Sequence, residues 1–511
     1  MRNAHSVAAV RAAESALMAQ LPEGALMQRA AAGLAATCAA LLRQAGRAGR
    51  AGGAGRGRAG GVYGSRVAVL VGSGDNGGDA LYAAARLADR GAAVTAIAAS
   101  GRVHEGGAAA LAGCGGRLTE APGGDADEAI AAADLIIDGL LGIGGRGGLR
   151  EPAASLAAAA GRARALVVAV DLPSGVDAGT GEVAGAAVRA DVTVTFGTLK
   201  PGLLIDPGAS YAGVVECVDI GLGGYLGPPD AAAPQSADIA AWLPRPSEES
   251  DKYRRGVLGI VAGSDRFTGA PTLVVGGAIR GGAGMVRLLS SAVPVAVVRQ
   301  HWPEAVITTL DAGLGGSEAV AAAGQVEAWA AGPGMGTDEV AADLLAAVLS
   351  TSLPVLVDAD GITLLAAHRE LLPRPVPTLL TPHAGELARL LGADRLDVEA
   401  HRLRFATQAA AELGCTVLLK GSTTVIAPPA ADQEVLVNPT GTSWLATAGS
   451  GDVLTGLAGS MLAQGLDPPR AAATAAYLHG IAARLAAEGA PIGASDIITA
   501  LPAATRTVAD A

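Results

Sequence analysis

The chain has 511 residues, of which half are hydrophobic and only 3% aromatic, and its formal net charge at pH 7 is −11. This length suggests two to four domains, because a single hydrophobic core rarely serves a chain much beyond about 300 residues. This negative net charge disfavours nucleic acid in general, or an anionic membrane, as the partner of the protein.

The N-terminal segment does not have the pattern of a targeting sequence. Arg11, Glu14 and Gln20 interrupt any apolar stretch of the kind that a signal peptide needs. No segment is expected to reach the ~18 apolar residues of a membrane helix. The four cysteines are scattered and form no C-x-x-C pair, which is typical of reduced thiols. The sequence therefore predicts a cytoplasmic protein with no membrane partner.

Residues 4–42 have apolar residues at helical spacing, and a tract rich in Gly, Ala and Arg follows at 43–66. Glycines disfavour helix and arginines disfavour burial, so the tract is predicted to be a solvated inserted loop. The alternative is a basic arm that binds RNA. The acidic balance of the whole chain favours the loop.

From residue 67 onward, short β-rich runs alternate with helical segments. This alternation is typical of parallel strands joined by crossover helices. A segment rich in Pro, Ser and acidic residues at 226–251 interrupts the alternation. The sequence therefore predicts an α/β chain with two tandem αβα domains, at 1–225 and 236–511, joined by a linker at 226–235. The predicted strands are 67–71, 93–98, 134–138, 165–170 and 191–196 in the first domain, and 257–263, 305–309, 327–331, 355–358, 377–380 and 416–419 in the second.

The first predicted strand leads into a glycine loop with the pattern G-x-G-x-x-G at Gly72, Gly74 and Gly77. That pattern is typical of dinucleotide binding in a Rossmann fold. Two features argue against a redox dehydrogenase. The loop carries Asp75 and Asp79 close to where a diphosphate would lie, and the next strand ends in IAASGRV (97–103) without the carboxylate that holds a ribose.

Four motifs of the first domain stand at the predicted carboxyl ends of strands, where ligands bind in parallel sheets. They are GSGDNGGDA (72–80), DGLLGIGGRG (138–147), VDLPSGVD (170–177) and FGTLKPGLL (196–204). With RAAESALMAQ (11–20) and LMQRAAAGLA (26–35), they resemble the YjeF N-terminal family of NAD(P)H-hydrate epimerases. The family loop reads N-N-G-G-D-G, so this chain departs from it at Asp75, in place of Asn, and at Ala80, in place of Gly.

The resemblance implies a Rossmann-like domain that epimerises C6 of a hydrated dihydronicotinamide, with Asp171 as the proton-transfer residue. It implies a potassium site formed by Asn76, Asp138 and Ser174, whose cation offsets the carboxylates of the loop. The alternative is structural: Asp138 and Asp171 cap helices, and Asp79 favours a helix start. The implied substrate contacts are Asp75, Asn76, Gly77, Gly78, Asp79, Gly142, Ile143, Gly144, Gly145, Arg146, Gly147, Gly148 and Asp171.

The second domain contains Gly449-Ser450-Gly451-Asp452 in front of a long helical segment. Glycines before a helix leave several N–H groups pointing outward and so form an anion site. A carboxylate beside that site can deprotonate a hydroxyl that attacks a phosphoryl group. This pattern is typical of the ribokinase-like fold, and the sequence contains no Walker loop.

Five further motifs of this domain follow in order: GSDRFTGAP (263–271), AGPGMGTDE (331–339), VDADGITLLA (357–366), LTPHAGELARLLG (380–392) and LLKGSTTVIA (418–427). Together with the glycine motif they resemble the ADP-dependent NAD(P)H-hydrate dehydratases. Alternatively, His383 is an ordinary helix-start histidine and Lys420 a surface lysine. The resemblance implies that Ala270, Gly334, Gly336, His383 and Asp452 bind the hydrated nucleotide, that Lys420, Gly421, Ser422, Thr423, Thr424 and Gly451 bind ADP, and that Asp452 is the catalytic base.

The two resemblances imply one repair function for hydrated NADH and NADPH. The second domain phosphorylates the 6-hydroxyl of S-NADHX or S-NADPHX with ADP and Mg²⁺, and the phosphate then departs, which yields NAD(P)H, AMP and phosphate. The first domain interconverts the R and S epimers. The partners are expected to be these small molecules and further copies of the chain. The alternative is a ribokinase-like vitamin or sugar kinase with a non-catalytic N-terminal scaffold.

Overall fold

The computed structural model describes residues 1–51, 61–246, 249, 251–310 and 313–510. The contacts divide the chain into two compact units. The N-terminal unit is Asn3–Asp230, and the C-terminal unit is Ala231–Ala511 together with Met1–Arg2. Each unit is built on its own β-sheet, so the predicted α/β class with two domains is confirmed.

The N-terminal unit alternates strands and helices along the chain. After β1 (Arg2–Ala4), which is an edge strand of the other sheet, its elements are α1 (Val7–Met18), α2 (Ala25–Ala51), β2 (Arg66–Val71), α3 (Asp75–Asp89), β3 (Ala93–Ala98), α4 (Glu105–Gly113), β4 (Arg117–Glu120), α5 (Gly124–Ala132), β5 (Leu135–Gly139), α6 (Ala153–Arg162), β6 (Leu166–Val170), β7 (Val192–Phe196), α7 (Gly208–Ala212) and β8 (Val214–Val218), with a 3-10 turn at Pro201–Leu203.

The seven strands of this unit are all parallel and have the order β4-β3-β2-β5-β6-β7-β8. This is the doubly wound order, in which the connections reverse direction between β2 and β5. Val67, Val69 and Val71 of β2 belong to a core with residues of α2 and α3, whereas Ala68 and Leu70 belong to a core with residues of α5 and α6. Helices therefore cover both faces, and the reversal point between β2 and β5 is where a ligand is expected.

The predicted helical segment at 4–42 consists of two helices, and the second extends beyond it. α2 continues to Ala51, so the prediction of a loop for 43–66 is wrong for residues 43–51. Alanine and arginine are strong helix formers, and here they outweigh the glycines at 46 and 49. Residues 52–60 of the tract lie outside the described residues.

One segment of α2, Ala25–Ala45, is long and apolar enough to cross a membrane by length and composition. The expectation that no segment would reach this length is therefore wrong. Its 18-residue apolar window has a mean hydropathy of 1.4, and 44% of that window is buried inside the structure. Its buried residues, among them Ala31, Leu34 and Cys38, pack in the core that also contains α3.

The C-terminal unit has a larger, mixed sheet. Its remaining elements are β9 (Ala231–Ala233), α8 (Ser236–Trp242), β10 (Val257–Val261), α9 (Ala270–Arg280), β11 (Met285–Ser290), α10 (Ala292–His301), β12 (Val306–Thr309), α11 (Gly316–Ala322), β13 (Ala328–Ala331), α12 (Glu339–Leu349), β14 (Val355–Val357), α13 (Asp360–Ala367), β15 (Thr378–Leu380), α14 (Ala384–Leu391), α15 (Arg395–Ala400), α16 (Arg402–Leu413), β16 (Thr416–Leu419), β17 (Thr424–Ala427), β18 (Val435–Asn438), α17 (Ser450–Ala463), α18 (Pro468–Ala487) and α19 (Ala494–Ala509), with 3-10 turns at Arg369–Leu371 and Ser443–Leu445.

The order of this eleven-stranded sheet is β1-β9-β18-β17-β16-β15-β14-β13-β10-β11-β12. In this order, the strands from β16 through β13 and β10 to the edge strand β12 are parallel. β17 is antiparallel to both of its neighbours, β16 and β18. α9, α17, α18 and α19 share one core with β10, β11 and β13. β9 lies within the segment predicted as a linker, 226–235. This part of the linker is a strand of the sheet, since Ala231 and Ala232 pair with Val435 and Leu436 of β18. Every strand predicted from the sequence has a counterpart in the structure.

Candidate active sites

Asp171 follows β6 directly and has a left-handed backbone, with φ 66°. This conformation is uncommon for residues other than glycine and is frequent at functional sites. Oδ1 of Asp171 accepts a hydrogen bond from Thr195 Oγ1 at 3.0 Å and forms an ion pair with Lys200 Nζ. Lys200 also donates to Thr195 Oγ1, at 2.9 Å, and it is 1% exposed. The helix-capping alternative for Asp171 is therefore wrong, since its carboxylate is held by a buried lysine.

A cavity of about 550 Å³ opens at the reversal point of the N-terminal sheet. Asp171 lines it together with the start of α3, the loop after β5 and one side of α1. The predicted residues in its lining are Asp75, Asn76, Asp79, Gly142, Ile143, Gly144, Gly145 and Asp171. Gly77 and Gly78 are buried in the first turn of α3, and Arg146, Gly147 and Gly148 follow the part of the loop that lines the cavity.

Two carboxyl groups in this cavity bind their protons unusually tightly. Burial raises the pKa of Asp79 well above its ordinary value, and the nearby carboxylates of Asp171, Asp75 and Glu14 raise it further. Burial also raises the pKa of Glu14, although Lys200 opposes the shift. Oδ1 of Asp79 is buried and has no hydrogen-bond partner among the described residues. Burial in this cavity therefore favours the protonated form of Asp79 and Glu14 more than water does.

The predicted potassium ligands lie around the turn that follows β5. Asp138 is fully buried and accepts hydrogen bonds from the backbone N–H and the hydroxyl of Ser174, at 2.8 and 2.7 Å. Burial raises the pKa of Asp138 to about 6, against the effect of these hydrogen bonds. The helix-capping alternative for Asp138 is wrong, since Ser174 and Leu140 supply the donors.

The third predicted ligand, Asn76, lies in the first turn of α3 next to the loop that follows β5. A Cβ atom on Gly142 would lie 2.9 Å from Asn76 Oδ1, and the Ser174 hydroxyl bonds to the backbone of the preceding residue, Leu141. The amide nitrogen of Asn76 is buried without a partner among the described residues. The carboxylate, hydroxyl and amide oxygens are hard ligands that fit a potassium ion.

In the C-terminal unit, Asp452 lies in the first turn of α17. Gly449 precedes the helix with φ 83°, a conformation that favours glycine, and it turns the chain so that the first N–H groups of α17 point outward. Burial and then the Asp358 carboxylate raise the pKa of Asp452 to about 7, although Lys420 opposes the shift. This carboxyl is therefore poised to exchange a proton near neutral pH.

Lys420 follows β16 and is held by two carboxylates, Asp358 after β14 and Glu386 in the first turn of α14. Its Nζ lies 2.7 Å from Asp358 Oδ1 and 3.7 Å from Glu386 Oε2. Burial alone would lower the pKa of Lys420, but these two carboxylates outweigh that effect and raise it. Thr455 Oγ1 donates to the other oxygen of Asp358 at 2.6 Å. The surface-lysine alternative is therefore wrong, and Lys420 places a fixed positive charge beside the start of α17.

A cavity of about 490 Å³ lies beside Asp452. Ala270 and Gly334 line it, as predicted, together with Phe267, Asp360 and Gly449. Gly336 lies next to this cavity, and its N–H donates to Asp360 Oδ2 at 3.0 Å. Gly334 has φ 63°, and a Cβ atom there would lie 2.7 Å from Cβ of Phe267.

His383 is the N-cap of α14. Its Nδ1 accepts hydrogen bonds from the N–H groups of Gly385 and Glu386, at 3.0 and 3.1 Å. This is the helix-start role that the sequence left open, and it does not exclude ligand binding. Nε2 of His383 lies 3.5 Å from Glu386 Oε1, and 60% of the histidine side chain is exposed.

The loop after β16, residues 420–423, contains most of the residues predicted to bind ADP, and Thr424 begins β17. Nη2 of Arg402 donates to the carbonyls of Leu419, Lys420 and Thr423 at 2.8–3.3 Å. A Cβ atom on Gly421 would lie 2.1 Å from this nitrogen, so any side chain there would have to displace the guanidinium of Arg402. Gly451 faces the same loop, because its Cβ would lie 3.6 Å from Lys420 Nζ.

Sequence reasoning assigned no role to several residues that form these sites. In the N-terminal unit these are Glu14, Thr195 and Lys200, and in the C-terminal unit they are Asp358, Asp360, Glu386 and Thr455. One feature of the sequence, the placement of its lysines, could have indicated Lys200. The chain has only three lysines among its 37 basic residues, and two of them, Lys200 and Lys420, end the strand-end motifs FGTLK and LLK.

Comparison with known proteins gives matches for both units. Residues 258–502 match the family described as NAD(P)H-hydrate dehydratase, and residues 23–202 match the family described as YjeF-related protein N-terminus. The "Bifunctional NAD(P)H-hydrate repair enzyme Nnr" of Mycobacterium tuberculosis is 48% identical over 475 residues, which cover 93% of this chain and 92% of that protein. The protein of the same name from Mycobacterium leprae is 46% identical over 501 residues, which cover 98% and 97%.

Solved structures resemble the C-terminal half. A crystal structure of an ADP/ATP-dependent NAD(P)H-hydrate dehydratase from Bacillus subtilis, co-crystallised with ATP and Mg²⁺, is 31% identical and covers 54% of this chain and 97% of its own. Its TM-score is 0.48.

Proposed function

Since the chain belongs to the family of bifunctional NAD(P)H-hydrate repair enzymes, we propose that it restores hydrated NADH and NADPH by two reactions, one in each unit. The N-terminal unit interconverts the R and S epimers of the hydrate. The C-terminal unit dehydrates the S epimer at the expense of ADP. The observation that carries the second assignment is Asp452, a carboxyl with a pKa of about 7 in a cavity at the start of a helix.

The dehydration follows from the chemistry of the 6-hydroxyl, which is a poor leaving group. Asp452 takes the hydroxyl proton as the oxygen attacks the terminal phosphoryl group of ADP. The outward-pointing N–H groups around Gly449–Gly451 and the Lys420 ammonium stabilise the charge that moves onto the phosphoryl oxygens. The ring nitrogen then expels phosphate as an N1=C6 double bond forms, and the resulting cation loses a proton from C5 to give NAD(P)H. AMP is the product left from ADP.

We place the hydrated nicotinamide in the cavity lined by Ala270, Gly334 and Asp452, with the exposed ring of His383 as a further contact. The adenine nucleotide lies along Lys420, Gly421, Ser422, Thr423 and Thr424. Among the described residues no group of three or more His, Cys, Asp or Glu side chains could hold a metal. Magnesium is therefore held chiefly by the phosphates of ADP, as is usual for this ion, and it neutralises charge on them.

In the N-terminal unit we place the hydrate against the start of α3 and the loop that continues to Gly148, with C6 facing Asp171. Potassium bound by Asn76, Asp138 and Ser174 supplies positive charge beside the acidic start of α3. The support for this site is the buried contact between Asp138 and Ser174, together with Asn76 Oδ1 beside Gly142 in the loop after β5. The homo-oligomeric state and the cytoplasmic location stay predictions from the sequence.

The test is to incubate the protein with S-NADHX and either ADP or ATP, with Mg²⁺ present, and to follow the absorbance of reduced nicotinamide. We expect NADH, AMP and phosphate to form in equal amounts with ADP. Formation of a stable phosphate ester on an unrelated alcohol, without NADH, would instead establish the kinase alternative. A preference for ATP would change the donor but leave the reaction class in place.

A further inference from the structure

The cavity of the N-terminal unit contains two carboxyl groups in contrasting surroundings. Asp171 receives hydrogen bonds on Oδ1 from a lysine and a threonine, and both donors are buried. Asp79 receives no hydrogen bond on its buried Oδ1 from any described residue. One carboxyl is thus stabilised as an anion by a cation in contact, whereas the other has no such partner. Environments that differ in this way assign acid and base roles to a pair of carboxyl groups.

Several charged groups surround Asp79. Asp75 lies one turn earlier on α3, Glu14 and Arg11 face the cavity from α1, and Asp171 faces it from the end of β6. His104 packs against the neighbouring Gly78. Burial and the three carboxylates raise the pKa of Asp79 well above its ordinary value. The proton therefore stays on Asp79 at a pH at which an exposed carboxyl has lost it.

We propose that Asp79 and Asp171 are the acid–base pair of the epimerase and that they act by breaking and remaking the C6–O bond of the hydrate. The inference rests on the proposed function of this unit and names the groups that move the protons.

The reaction balances in two steps. In the first, Asp79 donates its proton to the 6-hydroxyl, the C6–O bond breaks with both electrons on oxygen, and water leaves. The lone pair of the ring nitrogen forms an N1=C6 double bond, so the ring becomes a cation. In the second step, water attacks C6 from the opposite face, Asp171 takes one of its protons, and the N1=C6 electron pair returns to nitrogen. The opposite epimer reacts with the two roles exchanged.

The acidity of the glycine loop fits this mechanism. A ring that passes through a cation is stabilised by negative charge nearby, and Asp75 and Asp171 supply it within the same cavity. In a site that transfers hydride, no such cation needs stabilising, and the same carboxylates would lie unfavourably beside the negative diphosphate. The substitution of Asp75 for the Asn of the family loop adds charge in the direction that the intermediate requires.

The first experiment compares Asp79→Asn with Asp89→Asn in the full-length protein. Asp89 is an exposed residue at the end of the same helix, so its variant controls for changes in α3. We expect Asp79→Asn to slow interconversion of R- and S-NADHX by about 10²–10⁴-fold, the usual contribution of a general acid or base. ADP-dependent dehydration of S-NADHX, measured in the same sample, should keep its rate, and Asp79→Glu should recover part of the lost activity.

The second experiment needs no variant. Epimerisation by the wild type in H₂¹⁸O should place ¹⁸O at C6 of every molecule that inverts, because each inversion passes through loss of water. An inverted product that keeps its original oxygen would overturn the proposal, and so would an Asp79→Asn variant that epimerises within about threefold of the wild type. A wild type that fails to interconvert the epimers would overturn the proposed function of this unit itself, which is a distinguishable result.

Discussion

Lysine is rare in this chain, and its placement identifies both sites at the scale of single residues. Lys200 pairs with Asp171 in one unit, and Lys420 pairs with Asp358 in the other. Lys252, the third lysine, is exposed. Arginine supplies the other basic side chains. Lys200 is buried, and the side chain of Lys420 is 21% exposed. A point charge on a flexible stem fits beside a single carboxylate oxygen, where a planar guanidinium would need a wider set of acceptors.

Replacing Lys200 by Met should destabilise the N-terminal unit by ~3–5 kcal/mol, because Asp171 would remain as a buried charge without its partner. Lys252→Met is the matched control and should change stability by less than about 0.5 kcal/mol. All four tryptophans lie in the C-terminal unit, at 242, 302, 329 and 444. Urea unfolding followed by circular dichroism should therefore show the loss, while tryptophan fluorescence shows a smaller shift.

A double variant separates the buried charge from packing in this experiment. Asp171→Asn combined with Lys200→Met removes both charges and should recover much of the lost stability. If the double variant is as unstable as Lys200→Met alone, the loss comes from the cavity left by the lysine chain and not from an unpaired aspartate.

Asp452 gives a pH prediction with a definite sign. A general base acts as the carboxylate, and in the folded protein this carboxyl keeps its proton up to a pH of about 7. The kcat/KM of dehydration should therefore rise with pH through about 7 and level off above it. Asp452→Asn should abolish this dependence and lower kcat/KM by about 10²–10⁴-fold.

The control for Asp452→Asn is Asp432→Asn, at an exposed loop residue of the same unit. It should leave both the rate and the pH profile of dehydration unchanged. Turnover by Asp452→Asn that equals the wild-type rate at pH 8 would show that another group removes the hydroxyl proton.

At the scale of elements, α17 is positioned by close packing against α9. A Cβ atom on Gly456 of α17 would lie 1.9 Å from the carbonyl oxygen of Val274, and one on Gly277 of α9 would lie 2.3 Å from the carbonyl oxygen of Val453. The two backbones are therefore in direct contact at reciprocal glycines. This contact fixes the start of α17, and hence Asp452, relative to Ala270 at the start of α9.

Gly456→Ala should push α17 away from α9. We expect a loss of ~1–3 kcal/mol in stability from overpacking, together with a lower kcat, because Asp452 moves with its helix. Gly459→Ala in the same helix is the control. Its Cβ would meet only side-chain atoms of Leu258 and Ala330, at 3.0 Å or more. The gain of about 1 kcal/mol in helix propensity should offset that strain. Equal losses in the two variants, measured by thermal unfolding, would contradict this account of the interface.

In the N-terminal sheet the central strands were predicted and the two edge strands were missed, for a physical reason. β2 and β5 are buried on both faces and so appear as continuous apolar runs. β4, with the sequence RLTE, and β8, with VVECV, are mostly exposed and lack such a run. Neither strand was predicted. In the C-terminal sheet the edge strand β12 was predicted, whereas the interior strands β11, β17 and β18 were missed. The extension of α2 into the Gly/Ala/Arg tract was missed because helix propensity is a weak guide where glycine and alanine alternate.

At the scale of the whole molecule, motifs at strand ends and helix starts could be placed, and a helical residue far from these motifs could not. Asp171 and Lys420 each follow a strand and Asp138 lies near the end of β5, so their meeting with other strand ends follows from the parallel sheet. Glu14 lies on α1, at the beginning of the chain, and nothing in its local pattern indicates that it faces the cavity of a sheet whose first strand begins at Arg66. Only the three-dimensional packing brings it there.

The two reactions give a prediction for the complete enzyme, because dehydration consumes one epimer only. With excess ADP and an equimolar mixture of R- and S-NADHX, the wild type should convert all of the hydrate to NADH. Asp171→Asn should stop after the S half, apart from slow uncatalysed inversion, since the remaining R epimer is no longer converted. The amount of NADH at the plateau measures the difference directly.

Mixing two variants shows whether each site belongs to its own unit. Asp452→Asn alone should form almost no NADH, yet its epimerase site is intact. Adding it to Asp171→Asn should therefore restore full conversion, because the hydrate diffuses between the two proteins. A mixture that still stops at half would mean that Asp452→Asn has also lost epimerisation, and that one site serves both reactions. Each unit has its own sheet, core and cavity, so we expect the restored conversion.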